Sequence, residues 1–238
     1  MGGVSMNVIL MGPQGAGKGT QTARVASRFK LAPVATGELF REAIGQGTIL
    51  GEQIRGLYDR GELVPDDLTI GLVAQKLDAI ARKRERGEAA GAIFDGFPRT
   101  FEQAKSLDEL LGKRGNAVTA VIRIDVPFES LVTRLAGRRV CQRCGAVYHV
   151  EFNPPRRDGL CDRCEGEVVQ RADDTPEAVT NRLRLYFDLT APLLAYYDGR
   201  GLVTGVNGDQ AIDVVTEEIA FVIEHASQIE LNVSVKKS

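Results

Sequence analysis

Short apolar runs alternate with longer amphipathic stretches along this chain. Residues 6–11 (MNVILM) are mostly apolar and end at glycine, the pattern of a strand buried on both faces. A helix over 17–29 follows, then a short strand at 32–36 (APVAT). Helical periodicity covers 37–46 and 49–60, punctuated by glycines 45, 47 and 61. Pro65, Asp66 and Asp67 suit the first turn of the next helix, which fades into the charged stretch 82–91, a solvated helix end and loop. Strands are expected at 92–95, 117–126 and 201–206, and helices at 100–114, 127–135, 175–198 and 210–225. The tail over 226–238 shows no packing face and reads as disordered.

Five strands alternating with helices predict an α/β fold with a parallel sheet covered on both faces. Two segments break the rhythm and read as inserted lobes. The expected division is a core of 1–34, 65–136 and 175–225, one lobe at 35–64 and another at 137–174.

At 238 residues the chain suits one main core with small insertions. Its 43% hydrophobic and 26% charged content is that of a soluble globular protein. No apolar run approaches the roughly 18 residues of a membrane span, and the N-terminus lacks the basic start of a signal peptide, so the cytoplasm is expected. A net charge of −2 excludes nucleic-acid binding by bulk electrostatics, so any anion site must be built locally.

That local site is legible at 11–20, MGPQGAGKGT. Gly12-x4-Gly17-Lys18 between a strand and a helix is a phosphate-binding P-loop. Glycines let the backbone turn tightly around a phosphate, its N–H groups form an anion nest, and the helix N-terminus adds its dipole. Lys18 would reach the β- and γ-phosphates. Gly19 stands where many such loops carry a metal-binding Ser or Thr, and Thr20 comes one residue late.

Arg41, Arg99, Arg134, Arg138, Arg171 and Arg182 lie in turn-like or lobe-flanking contexts. Arginine's planar, permanently charged fork grips phosphate oxygens in pairs. Together with the loop they suggest two polyphosphate groups meeting in one cleft. No histidine or carboxylate stands out as a general base: His149 is expected to pack locally and His225 to end a helix.

The stretches GPQGAGKGTQ, TGELFRE, DGFPRTFEQA, RLAGRRV, YHVEFNPP, RADD and TAPLLAYY occur in one order over nearly all of 6–225, and in that order the chain resembles the adenylate kinases, of the zinc-bearing bacterial type. The resemblance implies a P-loop kinase fold with an AMP-binding lobe and a metal-bearing lid, acting on Mg·ATP and AMP to give two ADP, as a monomer without nucleic-acid or membrane partners. It implies that Gly15, Ala16, Gly17, Lys18, Gly19 and Thr20 hold ATP phosphates. Val147, Tyr148 and Gln210 would border the ATP base. Thr36, Arg41, Glu62, Leu63, Val64, Gly96, Phe97, Pro98, Arg99 and Gln103 would hold AMP, with Gln103 reading adenine. Arg134, Arg138, Arg171 and Arg182 would clamp phosphates, and Asp95, Asp173 and Asp174 would order Mg²⁺ waters or lock the closed lobe. Gln14 and Glu38 depart mildly from the family pattern. Kinases of UMP, CMP or GMP and a non-enzymatic nucleotide switch or zinc-ribbon nucleic-acid binder are the competing readings.

Cys141-x2-Cys144-x16-Cys161-x2-Cys164 has the spacing of a tetrahedral zinc ribbon with no position left for water. Disulfides, free thiols or another thiophilic metal are the alternatives. The lobe around it is too small for a core of its own, so a structural zinc would replace one.

Overall fold

The computed structural model describes residues 5–47, 49–170, 174 and 176–235, with backbone alone at 176 and 227–235. In chain order its elements are β1 (Met6–Met11), α1 (Lys18–Arg28), β2 (Leu31–Ala35), α2 (Thr36–Gly45), α3 (Ile49–Asp59), α4 (Asp66–Glu85), β3 (Gly91–Asp95), α5 (Phe101–Gly112), β4 (Ala120–Asp125), α6 (Phe128–Ala136), β5 (Arg138–Cys141), β6 (Val147–His149), β7 (Val168–Val169), α7 (Pro176–Leu185), a π-turn (Tyr186–Thr190), α8 (Leu193–Asp198), β8 (Val203–Asn207) and α9 (Ile212–Val235).

All five strands expected from the apolar runs join one sheet, in the order β2-β3-β1-β4-β8, with every pairing parallel. Side chains alternate across it as a strand requires. Val8 and Leu10 join a cluster with Val25 of α1, Leu131 of α6 and Ile219 of α9. Ile9 and Met11 join the opposite cluster, with Leu77 of α4, Leu107 of α5 and Tyr197 of α8. Both faces are thus covered, which explains why the strands read as continuous apolar runs. After β1 the chain turns to β2 on one side, and after β4 it turns to β8 on the other. A crevice opens beyond the carboxyl ends of β1 and β4, where open α/β sheets bind ligands.

Two small bodies flank this crevice. The helices α2 and α3 pack around Phe40, Ala43, Ile54 and Val64. The second is a three-stranded antiparallel sheet, β6-β5-β7, around Cys141, Ala146, Tyr148 and Cys161.

The structure departs from the sequence expectation at five points. The helix expected over 175–198 is broken by the π-turn, because Pro192 lacks an N–H, and Ala191 N instead reaches back five residues to Tyr186 O at 2.8 Å. The strand expected from 117 begins at Ala120: at its mouth Asn7 N donates to Thr119 Oγ1 (3.0 Å), a side chain taking the place of a ladder carbonyl. The last helix runs to Val235, so the tail expected to be disordered is helical where it is described. His225 therefore lies inside a helix, its ring against Phe221 at 3.9 Å, rather than at its end. The strands β5–β7 were not expected at all. Among the described residues no helix is long and apolar enough to cross a membrane.

Candidate functional site

The loop between β1 and α1 sits at the crevice. Gly12 passes so close to β4 that a Cβ there would lie 2.9 Å from Ile124 O. Gly17 caps α1 with φ 93°, in the left-handed region that glycine enters without penalty. Lys18 opens the helix, and its Nζ donates to Gly12 O (2.7 Å) and Pro13 O (2.9 Å). Its ammonium is thus held over the loop by the loop's own carbonyls. Burial, partly opposed by Asp95, and the nearby Arg99 and Arg138 pull its pKa down to about 8. Asp95, at the end of β3, stands beside Gly19: a Cβ on Gly19 would be 3.5 Å from its Oδ2. Thr20 follows in the first turn of α1.

The loop after β3 carries Gly96, Phe97, Pro98 and Arg99. Gly96 O accepts from Thr36 Oγ1 (2.9 Å) and from Arg99 Nε (2.9 Å), tying the start of α2 to this loop. Arg99 is half-buried, and desolvation and the charge of Arg182 lower its pKa, with Asp95 opposing. Arg182, on α7, donates to Tyr58 O (3.1 Å) and lies over the Tyr58 ring at 5.3 Å. Arg41 donates to the Tyr58 hydroxyl (2.8 Å). Also on α7, Asn181 Nδ2 donates to Gly61 O (3.2 Å), so α7 seats the turn that follows α3. Val64 is buried in that small body, Leu63 is half-buried, and Glu62 is exposed and paired with Arg60. Gln103 is buried in the first turn of α5.

Arg138 grips Asp174 with two hydrogen bonds, one from Nε to Oδ2 at 2.7 Å, and Gln14 Nε2 donates to the same carboxylate (3.1 Å). Asp174 thereby links the P-loop to the start of the cysteine-bearing body. Arg134 donates to Gly208 O (2.9 Å) and reaches Asp209 (3.3 Å) in the β8–α9 turn, beside Gln210. Arg171 and Asp173 lie outside the described residues.

Lys18, Asp95, Arg99, Arg138 and Arg182 are therefore brought together, while the Tyr148 side chain is not among them. Its hydroxyl accepts from Asp162 N (2.8 Å) and faces Cys161 Sγ (3.3 Å), inside the cysteine body; Val147 next to it is exposed. His149 does pack locally, its Nδ1 accepting from the N–H groups of Glu151 and Phe152 (3.1 Å each). Tyr58 and Asn181 carry no local sequence signal for the contacts of Arg182 with Tyr58 O and of Asn181 with Gly61 O, which join segments more than a hundred positions apart, and Asp66 by itself reads only as a helix-opening acid.

The four cysteine sulfurs lie within 4.8 Å of one another, with Cys141–Cys164 and Cys144–Cys161 at 3.5 Å. Sulfurs bound to one zinc at about 2.3 Å lie roughly 3.8 Å apart, so the donor set fits a tetrahedral ion. Arg163 N donates to Cys161 Sγ (3.4 Å), the kind of contact that steadies a thiolate.

The comparisons agree with this geometry. The family model described as Adenylate kinase matches residues 10–202. A protein of Symbiobacterium thermophilum named adenylate kinase is 51% identical over 214 residues, covering 90% of this chain and 96% of its own. Proteins of the same name from Staphylococcus epidermidis and Desulforamulus reducens are 43% and 45% identical, each covering 92% of this chain and 100% of its own. The family match takes in the P-loop, Asp95, Arg99, Arg138 and Arg182. The chain belongs to the adenylate kinase family of nucleoside monophosphate kinases.

Proposed function

We propose that the crevice transfers the γ-phosphoryl group of ATP to AMP, reversibly, giving two ADP. One observation carries this reading: Lys18 stands over the P-loop in a desolvated group with Arg99, Arg138 and Arg182, where burial first and the neighbouring cations second disfavour the charged forms of Lys18 and Arg99. Such a cluster is poised for polyanions, and two nucleotides meeting by their phosphates supply them.

In this reading Gly15 to Thr20 wrap the ATP phosphates, and Lys18 leaves its carbonyl partners for the transferring group. Val147, the backbone of Tyr148 and Gln210 border the ATP base. Thr36, Arg41, Leu63, Val64, Gly96 and Gln103 receive AMP, with Arg99 and Arg182 on its phosphate. Arg134, Arg138 and Arg171 complete the charge. The acceptor is a phosphate oxygen, already anionic at neutral pH, so no general base is required. Alignment and charge neutralisation do the work. Asp95, beside Gly19, is suited to hold the waters of a Mg²⁺ bound with ATP, which would add positive charge to the transferring group. The two small bodies act as closing lobes that exclude water, which would otherwise compete with AMP. The contact of Asn181 with Gly61 supports a seat for the first lobe on α7. The cysteine cluster holds a structural zinc, and cysteines kept reduced for it suit the cytoplasm.

ADP formation from ATP with AMP, UMP, CMP or GMP tests the reading. AMP is expected to be preferred; equal rates with all four, or ATP hydrolysis alone, would contradict it.

The lowered pKa of Lys18 gives a pH signature. Its charge is full below about 8 and lost above it, so kcat/KM for ATP, which reports the free enzyme, should fall up to tenfold per pH unit above that value. Stability moves the other way. Between about 8 and the ordinary 10.5 the unfolded chain binds more protons, so this group makes the fold gain stability as pH rises. A kcat/KM profile flat to pH 10 would refute the first expectation.

A further inference from the structure

Gln103 is only 2% exposed, and both polar atoms of its amide are committed. Oε1 accepts from Arg99 N (2.8 Å), and Nε2 donates to Asp66 Oδ1 (2.7 Å). The two contacts cannot be exchanged. A backbone N–H only donates and a carboxylate only accepts, so a flipped amide would face donor with donor and acceptor with acceptor. The second oxygen of Asp66 accepts from Thr100 Oγ1 (2.8 Å), and that hydroxyl accepts from Gln103 N (3.2 Å). A hydroxyl has one proton. Giving it to Asp66 leaves a lone pair for the Gln103 N–H, so the ring of contacts runs in one direction only.

Thr100-x-x-Gln103 has the form of a capping box, in which the glutamine would reach back to the Thr100 N–H. Here it reaches one residue further, to Arg99, and its nitrogen takes a partner from another helix. Asp66 is the first residue of α4, where the chain returns from the lobe formed by α2 and α3. The lock therefore joins that return to the loop bearing Arg99.

A fixed amide matters for telling purines apart. One N–H and one lone pair remain on Gln103. Adenine presents an acceptor at N1 beside a donor at its 6-amino group; guanine presents a donor at N1 beside an acceptor at O6. An amide free to flip can match either, whereas one held in a single orientation matches one and opposes the other. We infer that Asp66 is a positioning residue for base choice: by accepting from Gln103 Nε2 it holds the amide in the orientation that suits adenine and rejects guanine. This rests on the reading of Gln103 as a base contact.

The test measures kcat/KM for AMP and for GMP at saturating ATP. Asp66→Ala is expected to lower the AMP-over-GMP ratio about tenfold, the scale of one hydrogen bond to a charged group, acting through KM for the monophosphate and leaving KM for ATP unchanged. Asp66→Asn, which keeps an acceptor for Gln103, restores most of the ratio. Asp66→Ser suits a helix start but cannot bridge both Thr100 and Gln103; it should match Asp66→Ala and serves if the alanine variant does not fold. A residue that merely opened α4 would change the melting temperature and leave the ratio alone. A ratio unchanged in Asp66→Ala and Asp66→Ser but collapsed in Gln103→Ala would overturn the role of Asp66 and keep that of Gln103. A ratio unchanged in Gln103→Ala would overturn both.

Discussion

Lys18→Ala is expected to lower kcat for ADP formation by roughly 10³-fold, the scale of losing one preorganised charge on a transferring group. The ammonium stands over the P-loop with only carbonyls as described hydrogen-bond partners, which a phosphate outcompetes. Stability should not fall with activity. Removing a buried cation that repels Arg99 and Arg138 relieves the folded state, so the melting temperature of Lys18→Ala should equal or exceed the wild-type value. Lys18→Arg should not restore the rate, because a planar fork does not replace a compact point charge between two carbonyls. Coupled assay and calorimetry on the same preparations check both halves. A variant that loses activity together with its fold would point to a structural lysine instead.

The second large effect concerns the metal. The body built on β5–β7 has Cys141, Ala146, Tyr148 and Cys161 as its buried apolar residues, and two of these four are the proposed ligands. Cys161→Ser removes a ligand and the partner of the Tyr148 hydroxyl at once. Structural zinc contributes about 10–16 kcal/mol in small sites. Losing a third of that lowers the melting temperature by roughly 10 °C at about 2–4 °C per kcal/mol. Activity at low temperature should largely survive, because none of the cysteines belongs to the Lys18–Arg99–Arg182 cluster. Metal content and calorimetry on wild type and variant test this; unchanged zinc stoichiometry in Cys161→Ser would contradict the assignment.

The sheet was legible because its central strands β1, β3 and β4 are buried on both faces and so announce themselves as apolar runs. The P-loop was legible because its chemistry demands glycines and a lysine at fixed spacing. The strands β5–β7 were not, since that body is organised by sulfur and by Tyr148 rather than by an apolar stripe. The π-turn carried a signal in Pro192 that helical periodicity overrode. Arg138 was expected as a phosphate clamp; that it is paired with Asp174, whose side chain is fully buried, depends on a contact between distant segments that no local pattern encodes. The link of Asp66 to Gln103 is of the same kind: each residue has an ordinary helix-start explanation on its own. Spacing thus identified which residues carry charge, while the fold alone decides which of them are already paired.

The central claim is that two nucleotides meet by their phosphates within this group of cations. It is tested most directly by a crystal structure with two adenosines joined through five phosphates. The account predicts Lys18, Arg99 and Arg182 within hydrogen-bond distance of the phosphate chain, with Lys18 released from Gly12 O and Pro13 O. A ligand seated elsewhere, or those three side chains turned away from the phosphates, would contradict it.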